Sequence, residues 1–326
     1  SDYNCVKSII AKSVNTNGPS TTLLAMDNLI KTGNIQPSFD IHQFAHDVGR
    51  QTARQKGVNG EAFLTCTTEF NYGCQHGFFE YALANANSSE EAASSVCSSI
   101  PSSYPNKMHF YCYHGLGHGI MMAKANDLKK SLDVCDSLKK DEYSNEGCWQ
   151  GVFMENTNAV MRGEQRSGIF SESDPLEPCN KLERKYKWQC YINHSGYLMQ
   201  FFSNDLVLAT NSCTKAENEF ISACIQSLGL MVSNPSWQST LANESVEDST
   251  ETYINICKKF PNQWEKDCIA STVDNLMNFE QLNIDKAASL CSSIQTSMQK
   301  TCWEHVYYGI TSQTNDKNVK QQLCLK

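Results

Sequence analysis

Fourteen of the 16 cysteines in this 326-residue chain fall into consecutive pairs, and the pairs recur at a regular interval. The two cysteines of a pair are 8 to 15 residues apart, and the second cysteine recurs every 34 to 44 residues. An interval of about 38 residues is typical of proteins built from repeated pairs of helices. The pairs are Cys66 and Cys74, Cys97 and Cys112, Cys135 and Cys148, Cys179 and Cys190, Cys213 and Cys224, Cys257 and Cys268, and Cys291 and Cys302.

Each pair predicts a disulfide that joins the end of a first helix, A, to the start of a longer helix, B. Apolar residues at helical spacing precede the first cysteine, as in Leu132 and Cys135, and an apolar stretch follows the second. A disulfide that closes a loop of this size stabilises a fold by about 3 kcal/mol. Three asparagines stand where A helices are expected to begin and are predicted to cap them: Asn126, Asn204 and Asn283.

The repeats predict an all-α protein, a solenoid of seven or eight helical hairpins stapled by disulfides. An earlier repeat without cysteines is predicted, with helix A from Thr21 to Thr32 and helix B from Phe39 to Gln55. Cys5 and Cys324 are left over, and the simplest expectation is that they pair. That bridge would connect the two ends of the chain and curl the solenoid toward a closed α/α toroid.

We expect one domain over residues 1–326, in which residues 1–160 carry histidine-rich repeats and residues 161–326 serve as scaffold. Inserts at 156–174 and 233–249 interrupt the array, and inserts in solenoids often lie on the binding face. The stapled hairpins resemble Sel1-like repeat proteins, in which a disulfide joins the helices of each hairpin. The consensus residues of that family are missing here, so the resemblance implies no function.

The cysteine spacing and the composition limit the compartment and the partners. Tight C-x2-C pairs are absent, which argues against zinc fingers and iron–sulfur clusters. Disulfides instead indicate an oxidising compartment, so we expect a secreted, periplasmic or cell-surface protein whose leader has been removed. A net charge of −8 argues against nucleic-acid binding. No apolar run reaches about 18 residues, so no membrane span is expected.

Histidines recur at matching positions of the first B helices, counted from the second cysteine of each pair as position zero. In three successive repeats, positions +2 and +6 are filled by His42 and His46, by His76 and Glu80, and by His114 and His118. Residues four apart lie one above the other on the same face of a helix. Because stacked B helices place equal positions side by side, these six side chains are predicted to share one surface.

Imidazoles with a carboxylate suit zinc, iron or copper better than calcium or magnesium, and the set is large enough for two ions. The alternative is a polar seam, in which the imidazoles only hydrogen-bond to each other or to neighbouring carbonyls. Gly77, Gly115 and Gly151 follow at position +3. Each costs about 1 kcal/mol relative to alanine inside a helix. Close helix contact or room for a ligand would explain them.

Four residues near these rows are predicted to act in the site. Glu155, at +7 of its repeat, is the candidate general base or additional ligand, and Gln150 and Asn156 are candidates for binding substrate. Arg50 lies one turn beyond His46 and is a candidate for contacting an anionic substrate; the alternative is a solvated charge at a helix end. The remaining histidines fall off the rows and are predicted to be packing or surface residues: His109, His194 and His305.

These features predict an extracytoplasmic metalloprotein, and preferably a metalloenzyme, with one or two zinc, iron or copper ions on adjacent repeat helices. Such a centre would activate water for hydrolysis of an ester, amide or phosphate, or act on a small redox substrate. A small-molecule or peptide ligand would lie in the concave face of the solenoid. The alternative is a non-catalytic secreted solenoid that binds a partner or ligand, stores metal or senses pH.

Overall fold

A computed structural model of the chain describes residues 3–34, 39–67, 69–70, 72–138, 141–161, 170–171, 173–278, 282–312 and 317–324. Within these ranges every regular element is a helix and none is a strand, so the predicted all-α class is confirmed. The chain forms two compact units, Ser1–Val152 and Phe153–Lys326. In the described parts no helix combines the length and the apolar character that crossing a membrane requires.

The first unit is built from short and long helices in alternation. Its helices are α1 (Tyr3–Asn17), α2 (Pro19–Lys31), α3 (Phe39–Lys56), α4 (Gly60–Leu64), α5 (Gly73–Asn85), α6 (Ser89–Val96), α7 (Asn106–Ala123), α8 (Leu128–Ser137) and α9 (Glu142–Met161), which continues into the second unit. A 3-10 turn, Cys97–Ser99, follows α6. The predicted cysteine-free repeat is present as α2 and α3.

The second unit consists of ten described helices of 7 to 16 residues. Its helices are α10 (Arg184–Ile192), α11 (Ser195–Phe201), α12 (Leu206–Cys213), α13 (Ile221–Gly229), α14 (Pro235–Ala242), α15 (Thr250–Cys257), α16 (Glu265–Asn278), α17 (Ile284–Ser293), α18 (Thr296–Thr311) and α19 (Lys317–Cys324). Two 3-10 turns, Cys179–Lys181 and Asn262–Trp264, precede α10 and α16. Nine of the 19 residues of the predicted insert at 156–174, among them Arg162 and Arg166, lie outside the described residues.

Seven disulfides join the paired cysteines as the spacing predicts, with Cα–Cα distances of 5.4 to 5.8 Å. Each one connects the end of a short helical segment to the first two turns of the next B helix, as with Cys66 and Cys74 at the start of α5. The local connection explains why the sequence could predict these pairs: both cysteines belong to one repeat.

The predicted bridge between the ends of the chain is not formed. Cys5 is exposed in the first turn of α1 and is a free cysteine, and the side chain of Cys324 lies outside the described residues. The consecutive pairs are constrained by the repeat, whereas this pairing followed only from two cysteines being left over.

The A helices are capped, but two of the caps lie one residue later than predicted. Asp127 and Asp205 accept hydrogen bonds from the backbone at the starts of α8 and α12, each at 3.0 Å. Asn126 and Asn204 have positive φ angles of 63° and 69° and turn the chain into these helices, a conformation that asparagine tolerates well. Asn283 caps α17 as predicted.

Within each unit the B helices pack one against the next. In the first unit α3 packs on α5, α5 on α7, and α7 on the start of α9. In the second unit α10, α13, α16 and α18 pack in the same succession. This succession places equal repeat positions side by side, as the histidine rows require. The solenoid or toroid as a whole, and the single domain, stay predictions.

Candidate metal centre

Glycines let α3 and α5 approach until their backbones touch. A Cβ atom added to Gly77 would lie 2.0 Å from the carbonyl oxygen of His46, and one added to Gly49 would lie 1.8 Å from that of Cys74. No side chain fits at either position, because real Cβ atoms essentially never come within 3.0 Å of such atoms. Close helix contact is therefore the reason for Gly77, and it brings His76 beside the His42–His46 pair.

Glycines also allow close backbone contact between α7 and the start of α9. A Cβ atom on Gly151 would lie 1.9 Å from the carbonyl oxygen of His114, and one on Gly117 would lie 2.2 Å from that of Cys148. Gly115 instead faces the side chain of Phe79 at 3.0 Å, so a side chain separates α5 from α7 there. The glycines thus draw the B helices together in pairs.

His42 and His46 point their Nε2 atoms at each other across 2.9 Å. The Nδ1 of His42 lies 2.7 Å from the carbonyl oxygen of Phe70, and the Nδ1 of His46 lies 2.5 Å from Oε1 of Glu80. Both oxygens accept hydrogen bonds, so each Nδ1 carries a proton, and a neutral ring then has a bare Nε2. Two facing lone pairs need a cation between them, which is either a proton that makes one ring an imidazolium or a metal ion that both rings bind. A tetrahedral metal site places its ligand nitrogens about 3.3 Å apart, so an ion bound by both rings would widen the observed 2.9 Å by about 0.4 Å.

His76 supplies a third nitrogen to this pair. One ring nitrogen from each of His42, His46 and His76 lies within 4.8 Å of the other two. The Nε2 of His76 is buried without a hydrogen-bond partner among the described residues, which is costly unless another interaction, such as a metal–nitrogen bond, satisfies it. Burial, helped by the neighbouring imidazoles, holds the pKa of His76 well below its ordinary value. The ring is therefore neutral near pH 7 and keeps a lone pair for a metal ion.

His76 also belongs to a second group, with His114 and His118. The Nε2 atoms of His114 and His118 are 3.2 Å apart, and the Nδ1 of His114 lies 3.1 Å from Oε1 of Gln150. Burial and the neighbouring His118 lower the pKa of His114 well below its ordinary value, so this ring is neutral too. The five imidazoles of the predicted rows therefore form one continuous cluster.

The ring orientations distinguish the two groups. A metal ion lies in the plane of each imidazole that binds it, because the nitrogen lone pair lies in that plane. His76 is inclined by 68° to His42 and by 74° to His46, so these planes cross at a steep angle. His76 and His118 are stacked instead, with centroids 4.0 Å apart and planes inclined by 26°. Planes this close to parallel are less suited to converging on one ion than the steeply inclined planes of the first group.

Glu80 orients His46 instead of completing the ligand set. One carboxylate oxygen accepts the hydrogen bond from His46, and the other accepts one from Arg50. Among the described residues, each group of three or more His, Cys, Asp or Glu side chains whose ligand atoms all lie within 4.8 Å of one another consists of histidines alone, so the structure does not place Glu80 among the ligands as predicted. A carboxylate on the far nitrogen of a ligating histidine fixes the ring and its tautomer.

Arg50 is held in an ion-pair network. It donates to Glu80 and, at 2.6 Å, to Asp47, which also lies 3.4 Å from Nζ of Lys7. Burial would raise the pKa of Glu80, but hydrogen bonds and charge from His46 and Arg50 lower it below its ordinary value. Arg50 is therefore not a solvated helix-end charge, and it helps to keep Glu80 ionised. Its predicted contact with an anionic substrate stays a prediction.

The other predicted site residues are placed as follows. Gln150 contacts His114 through its amide oxygen, so it supports the cluster from α9. Glu155 and Asn156 lie further along α9, in the second unit, and both are buried. Their predicted roles as general base and substrate ligand stay predictions.

The histidines off the rows have partners of their own. His194 is buried, and its Nε2 donates to the carbonyl oxygen of Pro175 at 2.7 Å. His305 lies 2.8 Å from Asp274 on the second unit, and His109 is half-buried on α7. His194 and His305 fit the predicted packing and surface roles.

The backbone acceptor that fixes His42 could not be predicted from a residue pattern. Phe70 and Tyr72 have positive φ angles of 56° and 60°, a conformation that costs about 1–2 kcal/mol for residues other than glycine. Both lie inside the loop closed by Cys66 and Cys74, and the loop presents the Phe70 carbonyl to His42. The one available signal was the separation of 8 residues in this pair, the shortest of the seven.

Among the residues that the structure describes, two histidine groups could hold a metal ion within a helical, disulfide-rich framework. No protein-family model, curated protein or solved structure matches it. The functional argument therefore rests on the geometry of the histidine cluster.

Proposed function

We propose that this protein is an extracytoplasmic metalloprotein that binds one transition-metal ion through His42, His46 and His76. The observation that carries the proposal is the pair of Nε2 atoms 2.9 Å apart, with both Nδ1 atoms committed to oxygen acceptors. Neutral imidazole ligands suit zinc, iron or copper. Because a neutral His76 has one lone pair, it serves one ion, which favours a mononuclear centre over the two ions that the sequence allowed.

Three protein ligands leave a coordination position open, as in catalytic zinc sites, whereas structural sites are usually closed by four. The proposal therefore extends to a metalloenzyme, with metal-activated hydrolysis or redox chemistry on a small molecule as its reaction. Glu155 is the proposed general base, and the concave face of a stapled solenoid is the proposed place for a small-molecule or peptide ligand. Seven disulfides fit the oxidising compartment that a secreted, periplasmic or cell-surface protein would occupy.

A non-catalytic role is the second candidate, and the continuity of the cluster favours it. His114 and His118 extend the row of imidazoles beyond the first group, with Nε2 atoms 3.2 Å apart. A run of five histidines could store metal or sense pH in a secreted solenoid that binds a partner. Measuring catalytic turnover and metal content of a Glu155→Gln variant separates the two candidates. If the protein is an enzyme, the variant should lose activity and retain its metal.

Metal content tests the shared part of both candidates. We would purify the chain without chelator or histidine tag and measure metals by elemental mass spectrometry, with His76→Ala beside His109→Ala. Both residues lie on B helices of the first unit, but only His76 belongs to the cluster. We expect about one equivalent of metal in the wild type and in His109→Ala, and none in His76→Ala. A wild type that takes up no metal after incubation with zinc, iron or copper would overturn the proposal.

A further inference from the structure

We propose that the metal centre binds a small anion as its fourth ligand. This inference rests on the proposed metal centre and deepens it by naming the class of ligand that enters the open position. It follows from the charges around His42, His46 and His76, which leave the charge of a bound divalent ion without a counter-charge.

The ligand set itself is neutral. The Nδ1 protons of His42 and His46 are held by Phe70 and Glu80, so both rings bind as neutral imidazoles. Among the described residues, the groups that meet closely enough to hold an ion contain no carboxylate or thiolate. A divalent ion would therefore keep both of its positive charges after binding three nitrogens.

The surrounding carboxylates are already balanced by cations. Glu80 is paired with Arg50, and Asp47 is paired with Arg50 and Lys7. The two acids and the two bases cancel, so the network adds no net negative charge to offset the ion. Arg50, held between two carboxylates, is also not available to bind an anion by itself.

Burial makes the remaining charge costly. His46 and His76 are 8% and 6% exposed, and only His42 among the three is more open to solvent. Charges removed from water need a partner of opposite sign. An anion that displaces water at the fourth position supplies that partner, and azide and acetate are small anions suited to serve as probes. Anion binding should therefore require the metal.

The test uses the full chain loaded with one equivalent of Co²⁺, whose visible bands report on the atoms bound to the metal. We expect sodium azide and sodium acetate to change these bands saturably. The metal-free protein should show no saturable binding of either anion by calorimetry. Sodium perchlorate at equal ionic strength serves as the control for general salt effects, because its anion coordinates metal ions only weakly.

A charge variant tests the electrostatic reasoning. Glu80→Gln keeps an oxygen acceptor for His46 and removes one negative charge beside the ion, so azide should bind about tenfold more tightly. Asp133→Asn changes the net charge equally on an exposed helix of the same unit, and its azide affinity should match the wild type. Equal azide affinity in Glu80→Gln and the wild type would overturn the charge argument.

The outcomes separate this inference from the proposed function. Full cobalt loading with bands that neither anion alters would overturn the inference and leave the metal centre standing. A chain that does not take up cobalt or any other transition metal would overturn both.

Discussion

Replacing Gly77 with alanine should dismantle the metal centre without touching a ligand. The added Cβ would lie 2.0 Å from the carbonyl oxygen of His46, whereas ordinary contacts begin at 3.4 Å. The clash is with backbone, so α3 and α5 must separate by about 1.4 Å, and His76 would move away from His42 and His46. Metal–ligand distances hold to about 0.2 Å. We therefore expect the affinity for zinc to fall about 100-fold or more.

The assay is competition for zinc against a chromophoric chelator, with thermal unfolding of the metal-free protein measured in parallel. Overpacking should cost about 1–3 kcal/mol, offset by about 1 kcal/mol from the better helix propensity of alanine. Gly229→Ala is the matched control, because its Cβ would crowd Ser271 and Cys268 at 2.9 and 3.0 Å in the second unit. The control should lose stability and keep its zinc affinity. If Gly77→Ala binds zinc as tightly as the wild type, close contact of α3 and α5 does not assemble the centre.

Two further predictions concern the loop beside the centre and the second unit. Replacing both Cys66 and Cys74 with serine should weaken zinc binding about tenfold, because the loop that presents the Phe70 carbonyl to His42 is released. Competition titration measures the zinc affinity, and the matched double variant of Cys213 and Cys224 should show no such change. Burial of His194 lowers its pKa from 6.5 to about 4, so its contribution to stability is complete above about pH 6.5 and is lost as the pH falls toward 4. In urea unfolding, the free energy of unfolding of the wild type should fall between about pH 7 and pH 5 by about 2 kcal/mol more than that of His194→Gln. The same pH dependence in both proteins would contradict this account.

The repeat made much of the fold predictable. Disulfide partners could be assigned because each pair is local, and the paired helices followed from the apolar segments around it. The histidine rows followed from equal positions in neighbouring repeats, and the structure brings His42, His46 and His76 together. The bridge from Cys5 to Cys324 failed because nothing local constrains it.

The roles within the site were less predictable, because register determines which residues meet but not how each side chain is turned. Glu80 lies in the predicted row, yet Arg50 and His46 occupy both of its oxygens. The inclination of His76 to its neighbours favours one group over the other, and no spacing in the sequence encodes a ring angle. The role of the Phe70 carbonyl could not be predicted for a different reason: every residue has a backbone oxygen, so the residue type does not indicate which one accepts a hydrogen bond.

The framework and the site share consecutive residues, which explains how the scaffold can hold ligands in place. Two B helices place a disulfide-bonded cysteine, a histidine and a glycine within one turn: Cys74-Gln75-His76-Gly77 and Cys112-Tyr113-His114-Gly115. A third helix has the same order with glutamine in place of histidine: Cys148-Trp149-Gln150-Gly151. The disulfide fixes where the helix starts, and Gly77 and Gly151 set its distance to the neighbouring helix. The residue between staple and glycine is thereby held against the next repeat. The stapled B helices of the second unit lack this order, so the metal centre is expected to depend on the staples of the first unit alone.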